Sequence, residues 1–555
     1  MEKPQLTDSF NENTSDTGIV LYKIDVAHNE FSNDNSDSTR NEGTPAKNAE
    51  TQLSLTPISA PTLLSDLDWD NPADPSNPKN WPVWKKCYIT FTVGYMCLII
   101  TFGSSVYVPS VNQLMQRFGI SETLGLSGLT FYLLGLGVGP IFAAPLSELY
   151  GRKPIYLVTT PISMIFILGT AFCKHFYQIL ILRFFTGVFV SPAMAVAGGS
   201  ISDIFDRNMV GLAMSVFALT PFCGTILGPI IGSFAMETKT WQWVMWLQLM
   251  FCGTCVPLVI FLPETFKPAI LAKRAHQRGI NLVREHHKSS WQKEIKEMLT
   301  VSALQPLQMF YKEPIVLFLS IYSAFVFSIL FGFFESYPII FRGVYGMSLG
   351  ISSLMFVGVG IGLIFADLIY FYFDRKIAFP LNADGTRGHK TPDGVLLPPD
   401  PERMLMTCKI GAVLFPVSMF WQAWTARESI HWIVPCLSGV FFGIAIFQIF
   451  FCIIVYFSFT YPPIILASAL AANNLLRYLM ASVFPLFIVQ TYNRLGVHWA
   501  SSLFGFIALA MMPLPWVFTY LGPRLRAASK FNIKYQQLLK HQQQYQSEHK
   551  DTHSV

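Results

Sequence analysis

The feature that most constrains this chain is a series of long apolar stretches, each about twenty residues in length. The hydrocarbon core of a bilayer is ~30 Å thick, so a helix needs ~20 apolar residues to cross it. Only 13% of the residues are charged, whereas a soluble domain carries about 25%. The sequence therefore predicts an all-α membrane protein with twelve transmembrane helices, at 87–109, 124–146, 154–174, 178–200, 210–234, 241–262, 314–337, 351–372, 404–424, 432–456, 464–488 and 499–521.

The polar segments predict how these spans are grouped. The longest interruption, 263–313, divides them six and six, and its 291–304 stretch is expected to form an amphipathic surface helix. The first sixty residues are rich in Asn, Ser, Thr and Asp, which favours disorder, and they have no signal-peptide core. The predicted organisation is a disordered tail at 1–69, an interfacial lead-in at 70–86, an N-terminal half at 87–262, a linker at 263–313, a C-terminal half at 314–521 and a C-terminal tail at 522–555.

The distribution of positive charge predicts the orientation. With both chain ends on the same side, about 25 Lys and Arg residues fall on that side, and six fall on the other. Loops rich in Lys and Arg stay in the cytosol. Both tails and the linker are therefore expected to be cytosolic.

Other classes of function find little support in the sequence. The nine cysteines lie in or beside apolar segments, and the pair Cys252 and Cys255 sits inside a span rather than in a redox fold. The histidines of the linker are expected to be solvated rather than to bind metal, and no Gly-rich nucleotide-binding loop is visible. A net charge of +5 is too small to indicate nucleic-acid binding. We therefore expect no enzyme, no cofactor and no metal site.

The short turn between spans 2 and 3 carries the first motif. It contains Glu148 followed by Gly151, Arg152 and Lys153, so that a carboxylate lies beside two cations at a helix end. Such a group can form a charge clamp between neighbouring helices. The turn resembles the first signature of the major facilitator superfamily, with Glu148 at the usual aspartate position. That resemblance implies a gating latch at the cytosolic face.

A second motif places an arginine inside span 4. Arg183 lies among apolar residues, where a charge costs ~2.5 kcal/mol or more and should face the bundle interior. Its surroundings resemble the second signature of the same superfamily, whose arginine is linked to proton transfer. Asp203, at the inner end of span 4, is a further candidate for proton coupling, and an interhelical anchor is the alternative role for Arg183.

A glycine stripe marks span 5. Gly224, Gly228 and Gly232 recur every four residues with Pro229 between them, which allows close helix contact and bends the helix. The pattern resembles the signature of the superfamily's antiporters and implies a gating role. In that fold, spans 5 and 8 meet, and Gly358 and Gly362 of span 8 are expected to form the facing stripe.

Two flanking motifs narrow the resemblance. Residues 77–82, Asn-Pro-Lys-Asn-Trp-Pro, precede span 1, and residues 262–266, Leu-Pro-Glu-Thr-Phe, follow span 6. Both resemble motifs of the fungal twelve-span drug:proton antiporters, which export drugs or polyamines. The resemblance covers roughly 70–523.

Few charged or polar residues lie deep in the spans, and these are the candidates for the transport site. Glu335, flanked by Phe334 and Tyr337, suits a cation or a proton. Arg477 in span 11 could pair with a carboxylate of the other half or have a purely structural role. The predicted substrate-binding residues are Glu335, Tyr337, Phe334, Tyr107, Asn474 and Arg477, and those predicted for proton coupling are Arg183, Glu335 and Asp203.

The sequence thus predicts two six-helix halves around a central cavity that is open to each side in turn. We expect a proton-coupled antiporter that exports drugs or polyamines, works as a monomer in the bilayer, and resides in the plasma membrane, with the vacuolar membrane as the alternative. An uptake carrier on the same fold and a solute sensor that signals through its tails are the rival hypotheses.

Overall fold

The computed structural model describes residues 62–63, 68–280, 282–283, 304–391, 400–529 and 531. Nearly all of them are helical. Among the described residues, eleven helices are long and apolar enough to cross a membrane, and the last of these, Ile465–Ala527, is long enough for two spans, which makes twelve. Spans 1 to 6 are Val83–Ser105, Glu122–Tyr150, Arg152–Ala171, Phe176–Val190 continued by Pro192–Ile204, Arg207–Thr238 and Gln242–Ile260. Spans 7 to 12 are Pro314–Tyr337, Leu349–Leu354 continued by Phe356–Phe373, Pro401–Thr425, Ile433–Thr460, and two spans within Pro463–Met511 and Leu514–Ala527.

The last two spans arise from one helical stretch that reverses at Gly496. A straight helix of the 49 residues Pro463–Met511 would be ~74 Å long, more than twice the thickness of a bilayer core. Gly496 has φ 73°, which residues with a side chain rarely adopt. The hydroxyls of Tyr492 and Ser501 lie 2.8 Å apart across the turn. Span 11 therefore ends before Gly496, and span 12 follows it.

Shorter elements connect the spans. Single-turn 3-10 helices lie at Pro78–Asn80 and Val108–Ser110, short α-helices at Val111–Phe118 and Lys267–Gln277, and π-helical turns at Pro338–Val344 and Asp374–Ala378. Residues 304–312 are also helical. The strands Thr62–Leu63 and Leu282–Val283 pair in parallel.

The prediction of twelve spans in an all-α membrane protein is confirmed, since each predicted span overlaps an observed helix. The observed helices are often longer, as in span 2, where Glu122–Tyr150 replaces the predicted 124–146. Ser121 begins this helix because its hydroxyl accepts the Leu124 N–H at 3.3 Å. The predicted disordered tail, the 291–304 helix and the C-terminal tail fall largely outside the described residues.

The prediction that the glycine stripes of spans 5 and 8 face each other is wrong. A Cβ atom on Gly228 would lie 2.7 Å from the Val106 nitrogen, so the span 5 stripe packs on span 1. A Cβ on Gly358 would lie 2.8 Å from the Cys436 carbonyl oxygen, so the span 8 stripe packs on span 10. Both stripes therefore bring helices together within one half, because only a missing side chain lets backbones approach so closely.

Contacts between the halves come from other residues. Span 2 packs against span 11, where Thr130 donates to the Ser482 carbonyl at 2.7 Å. Spans 5 and 8 do meet, through the hydroxyls of Ser233 and Ser353, which lie 2.6 Å apart. We call the side of the bundle with residues 68–82 and 521–531 the terminal face, and the opposite side, with residues 106–121 and 338–348, the distal face.

Candidate functional site

A cavity of about 240 Å³ lies between the two halves near the distal face. Its wall includes Pro229 of span 5, Phe334 and Glu335 of span 7, Phe356 of span 8 and Val489 near the end of span 11. Both halves therefore contribute to one chamber, as a site that is exposed to each side in turn requires. Pro229 bends span 5 next to this chamber, since it removes a helix donor.

Glu335 is the acidic residue of span 7 in this wall. Its Oε1 atom is shielded from solvent and accepts no hydrogen bond from the described residues. Polar atoms removed from water are normally paired, since burial without a partner costs free energy. An unpaired carboxylate oxygen at a cavity wall is available to bind a ligand or a proton.

Two charged residues of the same wall were not among the predicted site residues. Glu122 is the first residue of span 2, where an acidic residue is expected merely to favour a helix N-terminus. Arg342 lies in the π-helical turn after span 7 and is exposed. The sequence offered no local signal for either, because the chamber is assembled from segments that are distant along the chain.

Of the other predicted substrate residues, one lines the chamber and the rest lie elsewhere. Phe334 lines the chamber beside Glu335, whereas Tyr337 is fully buried and stacks on Phe333 at 4.9 Å between ring centroids. Tyr107 is also fully buried, and its hydroxyl donates to the Gly125 carbonyl at 2.8 Å. The structure thus brings Glu335 and Phe334 together at the chamber and assigns both tyrosines to packing.

Arg183 is enclosed by neutral groups of the N-terminal half. Its Nε donates to the Gly128 carbonyl and its Nη1 to the Gly103 carbonyl, both at 3.1 Å. The guanidinium also lies 4.4 Å from the ring centroid of Tyr107 and 4.5 Å from that of Tyr132. Carbonyl oxygens and ring faces both attract a cation, so this arrangement ties span 4 to spans 1 and 2.

Arg477 is the counterpart of Arg183 in the C-terminal half, since it is also a buried cation. Its Nη2 donates to Asn474 Oδ1 at 2.7 Å, and its guanidinium packs on the rings of Phe327, Phe450 and Tyr478. Within the described residues, no carboxylate lies within the 4 Å of an ion pair with Arg477. The pairing with an acid of the other half, one of the two roles considered for Arg477, is therefore not formed in this conformation.

The turn after span 2 is held by a carboxylate other than the predicted one. Glu148 is exposed and forms no ion pair among the described residues. Glu264 instead accepts the backbone N–H groups of Arg152 and Lys153, each at 3.0 Å. The positive φ of Gly151, 94°, ends span 2 and lets this carboxylate cap the next helix.

The cations of this turn bind neighbouring elements of the same half. Arg152 donates to Ser147 Oγ at 2.8 Å, and its Nε lies 3.5 Å from Asp203 Oδ2. Lys153 donates to the Ile260 carbonyl at 3.0 Å. Asp203, predicted for proton coupling, therefore lies beside Arg152 of this turn at the terminal face. It is at the opposite end of span 4 from the chamber.

The lead-in before span 1 forms a second set of ionic contacts, which we call the lead-in clamp. Asp74 accepts from Arg274 Nη1 at 2.5 Å, and Asp70 from Arg278 Nη2 at 2.6 Å. The hydrogen bond from Arg274 lowers the pKa of Asp74 to about 2, and the hydrogen bond from Arg278 lowers the pKa of Asp70. Asn80 completes the fold of the lead-in by donating to the Pro72 carbonyl at 2.8 Å.

The terminal end of the C-terminal half has its own carboxylate. Glu313 accepts from Ser529 Oγ at 2.8 Å and from the Tyr461 hydroxyl at 3.1 Å. Burial raises the pKa of Glu313, and these two hydrogen bonds partly oppose that change. The segment that follows span 12 is thereby attached to the start of span 7 and to the end of span 10.

At the distal face, a cross-half cap closes the seam. Glu237, near the end of span 5, accepts the Gly350 backbone N–H at 2.8 Å, at the start of span 8. Gln490 of span 11 and Thr123 of span 2 are hydrogen-bonded at 2.8 Å. These contacts and the Ser233–Ser353 pair join the halves beside the chamber, so any opening of this face must break them.

Comparisons with known proteins agree with this geometry. Residues 93–485 match the sequence profile of the Major Facilitator Superfamily. The chain is 48% identical to Polyamine transporter 4 of Saccharomyces cerevisiae over 84% of its length and 73% of the relative's. It is 36% identical to Efflux pump FUB11 of Gibberella moniliformis, over 83% and 76% of the two chains.

A solved structure shares the fold. The proton:xylose symporter XylE aligns with a TM-score of 0.58 over 79% of this chain and 97% of its own, at 17% sequence identity. An identity this low supports the arrangement of the helices alone.

Proposed function

Because the chain belongs to the Major Facilitator Superfamily and is a multi-pass membrane transporter, we propose that it exports organic cations in exchange for protons. These cations are polyamines and amphipathic cationic drugs. Two relatives, named as a polyamine transporter and an efflux pump, support this range of substrates. The unpaired carboxylate of Glu335 in the chamber is the observation that carries the proposal.

A single carboxylate can couple the two movements by competition. Ionised Glu335 would hold a substrate ammonium group, and protonation would cancel that charge and release the substrate. Because the residue holds either the proton or the cation, each crossing with one ligand must be followed by a return with the other. The buried position strengthens this competition, since water screens the carboxylate poorly there.

The remaining groups would give this exchange its direction and mechanics. The excess of Lys and Arg supports a cytosolic terminal face, which makes the distal face the side of release. The two halves would rock about the chamber, with the distal contacts of Glu237 and Gln490 broken in the outward-open state. We propose that Arg183 keeps spans 1, 2 and 4 together as one body during this motion. We further propose a monomer in the plasma membrane.

The proposal is tested in proteoliposomes with an imposed pH gradient. Labelled spermidine and a labelled cationic drug are supplied outside vesicles that are acidic inside. We expect accumulation that stops when an ionophore collapses the gradient. Accumulation that persists after collapse would overturn proton coupling. Net cation uptake into energised cells that carry the protein would instead support the carrier hypothesis.

A further inference from the structure

We propose that Glu122 and Glu335 together form a subsite for a linear diammonium compound, with one amine at each carboxylate and the methylene chain between them. The inference rests on the export of cations proposed above and narrows the substrate to polyamines. The two residues come from opposite halves, Glu122 from the start of span 2 and Glu335 from span 7, and both line the distal chamber. A substrate that touches both would therefore bridge the halves.

Glu122 is free for this role. Ser121 already caps span 2, because its hydroxyl accepts the Leu124 N–H. Within the described part of the chain, the Glu122 carboxylate accepts no hydrogen bond and forms no ion pair. It lines the same chamber as Glu335. Two carboxylates that repel each other across a chamber attract a ligand with two positive charges more strongly than a ligand with one.

The nearby cation does not neutralise the pair. Arg342 also lines the chamber, but it is exposed, and no ion pair within 4 Å joins it to Glu122 or Glu335 in the described residues.

The small volume of the chamber favours a ligand smaller than a typical drug. Its volume of about 240 Å³ is below the ~300–1,000 Å³ that is usual for drug-sized ligands. Phe334, Phe356 and Pro229 supply apolar surface along the wall. Methylene groups can pack there while the amines reach the carboxylates, and aromatic ring faces also attract ammonium groups.

The proposal is tested by binding to the purified full-length protein in nanodiscs. Competition with labelled spermidine gives the affinities of diamines of increasing length and of monoamines of matched length. We expect the wild type to prefer diamines. Glu122→Gln should weaken diamine binding about tenfold, the scale of one lost hydrogen bond to a charged group, and leave monoamine binding unchanged. Glu335→Gln should weaken both, because Glu335 is the anchor that every amine uses.

A conservative variant separates contact from fold. Glu122→Asp keeps the charge but retracts the carboxylate by one methylene, so the preferred diamine should become longer. A purely structural role for Glu122 would not shift that optimum. Glu428→Gln, which changes an exposed carboxylate between spans 9 and 10, is the matched control and should bind like the wild type.

The outcomes distinguish this inference from the proposed function. If the wild type binds no amine or cationic drug, the export of cations fails and this subsite with it. If amines bind but Glu122→Gln affects diamines and monoamines equally, or affects neither, the two-carboxylate subsite is overturned and the function stands. An unchanged length preference in Glu122→Asp would likewise overturn it.

Discussion

The terminal face and the distal chamber use carboxylates in opposite ways. At the terminal face, Glu264 accepts four backbone N–H groups, from Arg152, Lys153, Thr265 and Phe266, at 2.9 to 3.0 Å. In the chamber, Glu335 Oε1 accepts none from the described residues. A fully bonded carboxylate contributes to the fold, whereas an unbonded one costs stability and stays available to a ligand. We propose that this difference in pairing marks Glu264 as a structural acid and Glu335 as a functional one.

The largest effect is expected from Glu335→Gln on transport. The amide has nearly the same shape but cannot exchange a proton or hold an ammonium ion by charge. We expect accumulation driven by a pH gradient to fall to the level of protein-free vesicles. The apparent melting temperature should stay the same or rise, since an unpaired buried charge has been removed. Gradient-driven transport that survives in this variant would show that another group carries the proton.

The reciprocal change at the terminal face is Glu264→Ala. Each buried donor left without a partner costs about 1–3 kcal/mol, so this variant should melt well below the wild type. Glu264→Gln keeps one acceptor oxygen, so its melting temperature should lie between those of the wild type and Glu264→Ala. The measurement is thermal unfolding of the detergent-solubilised protein, with Glu428→Gln as control. The comparison of the two faces breaks down if Glu335→Gln destabilises the protein more than Glu264→Ala does.

These residues also show what the sequence could and could not predict. The twelve spans follow from apolar length alone, because a bilayer demands ~20 apolar residues wherever they occur. Glu335 stood out because a charge inside such a segment must have a reason. Glu122 did not, since an acidic residue at the start of a helix is ordinary, and Glu264 was noted only as part of the 262–266 motif.

Partners that are distant along the chain could not be predicted from local pattern. Glu264 caps a helix more than a hundred residues before it, and the sequence offered the adjacent Glu148 for that role. The glycine stripe of span 5 indicated a close contact correctly but not its partner, because spacing records only that the helix surface is smooth. The glycine spacing on span 5 alone was compatible with either span 1 or span 8 as the partner helix.

A smaller effect is expected at the lead-in clamp. The side chain of Asp74 is 2% exposed, whereas that of Asp70 is 44% exposed, and solvent weakens an exposed ion pair. Asp74→Asn should therefore loosen the helix Lys267–Gln277 more than Asp70→Asn does. Hydrogen exchange of that helix measures the difference. Asp384→Asn, which breaks a loop ion pair with Lys390, is the control and should leave the helix unchanged.

The smallest effect concerns how two contacts at the terminal face respond to acid. One is the lead-in clamp, which contains Asp74, and the other is the set of hydrogen bonds accepted by Glu313. Asp74 has its pKa lowered to about 2 by Arg274, from an ordinary 3.8. Its contribution to stability is present above pH 3.8 and is lost as the pH falls through about 2. Glu313 has its pKa raised by burial above the ordinary 4.5. Its contribution is present below pH 4.5 and is lost as the pH rises through the higher value that it has in the folded protein.

Mild acidification should therefore strengthen the contacts of Glu313 and leave the lead-in clamp unchanged. Between pH 7 and pH 4.5, hydrogen exchange corrected for its intrinsic pH dependence should stay constant in Lys267–Gln277 and should slow around Ser529. Glu313→Gln should remove the change at Ser529, because the amide has no proton to gain, and leave the helix as it was. If the helix loosens in that range, Asp74 is not held by Arg274 as strongly as the contact implies. If exchange around Ser529 does not depend on pH in the wild type, burial does not determine the pKa of Glu313. Glu313 would then resemble Glu264, whose carboxylate is fully hydrogen-bonded.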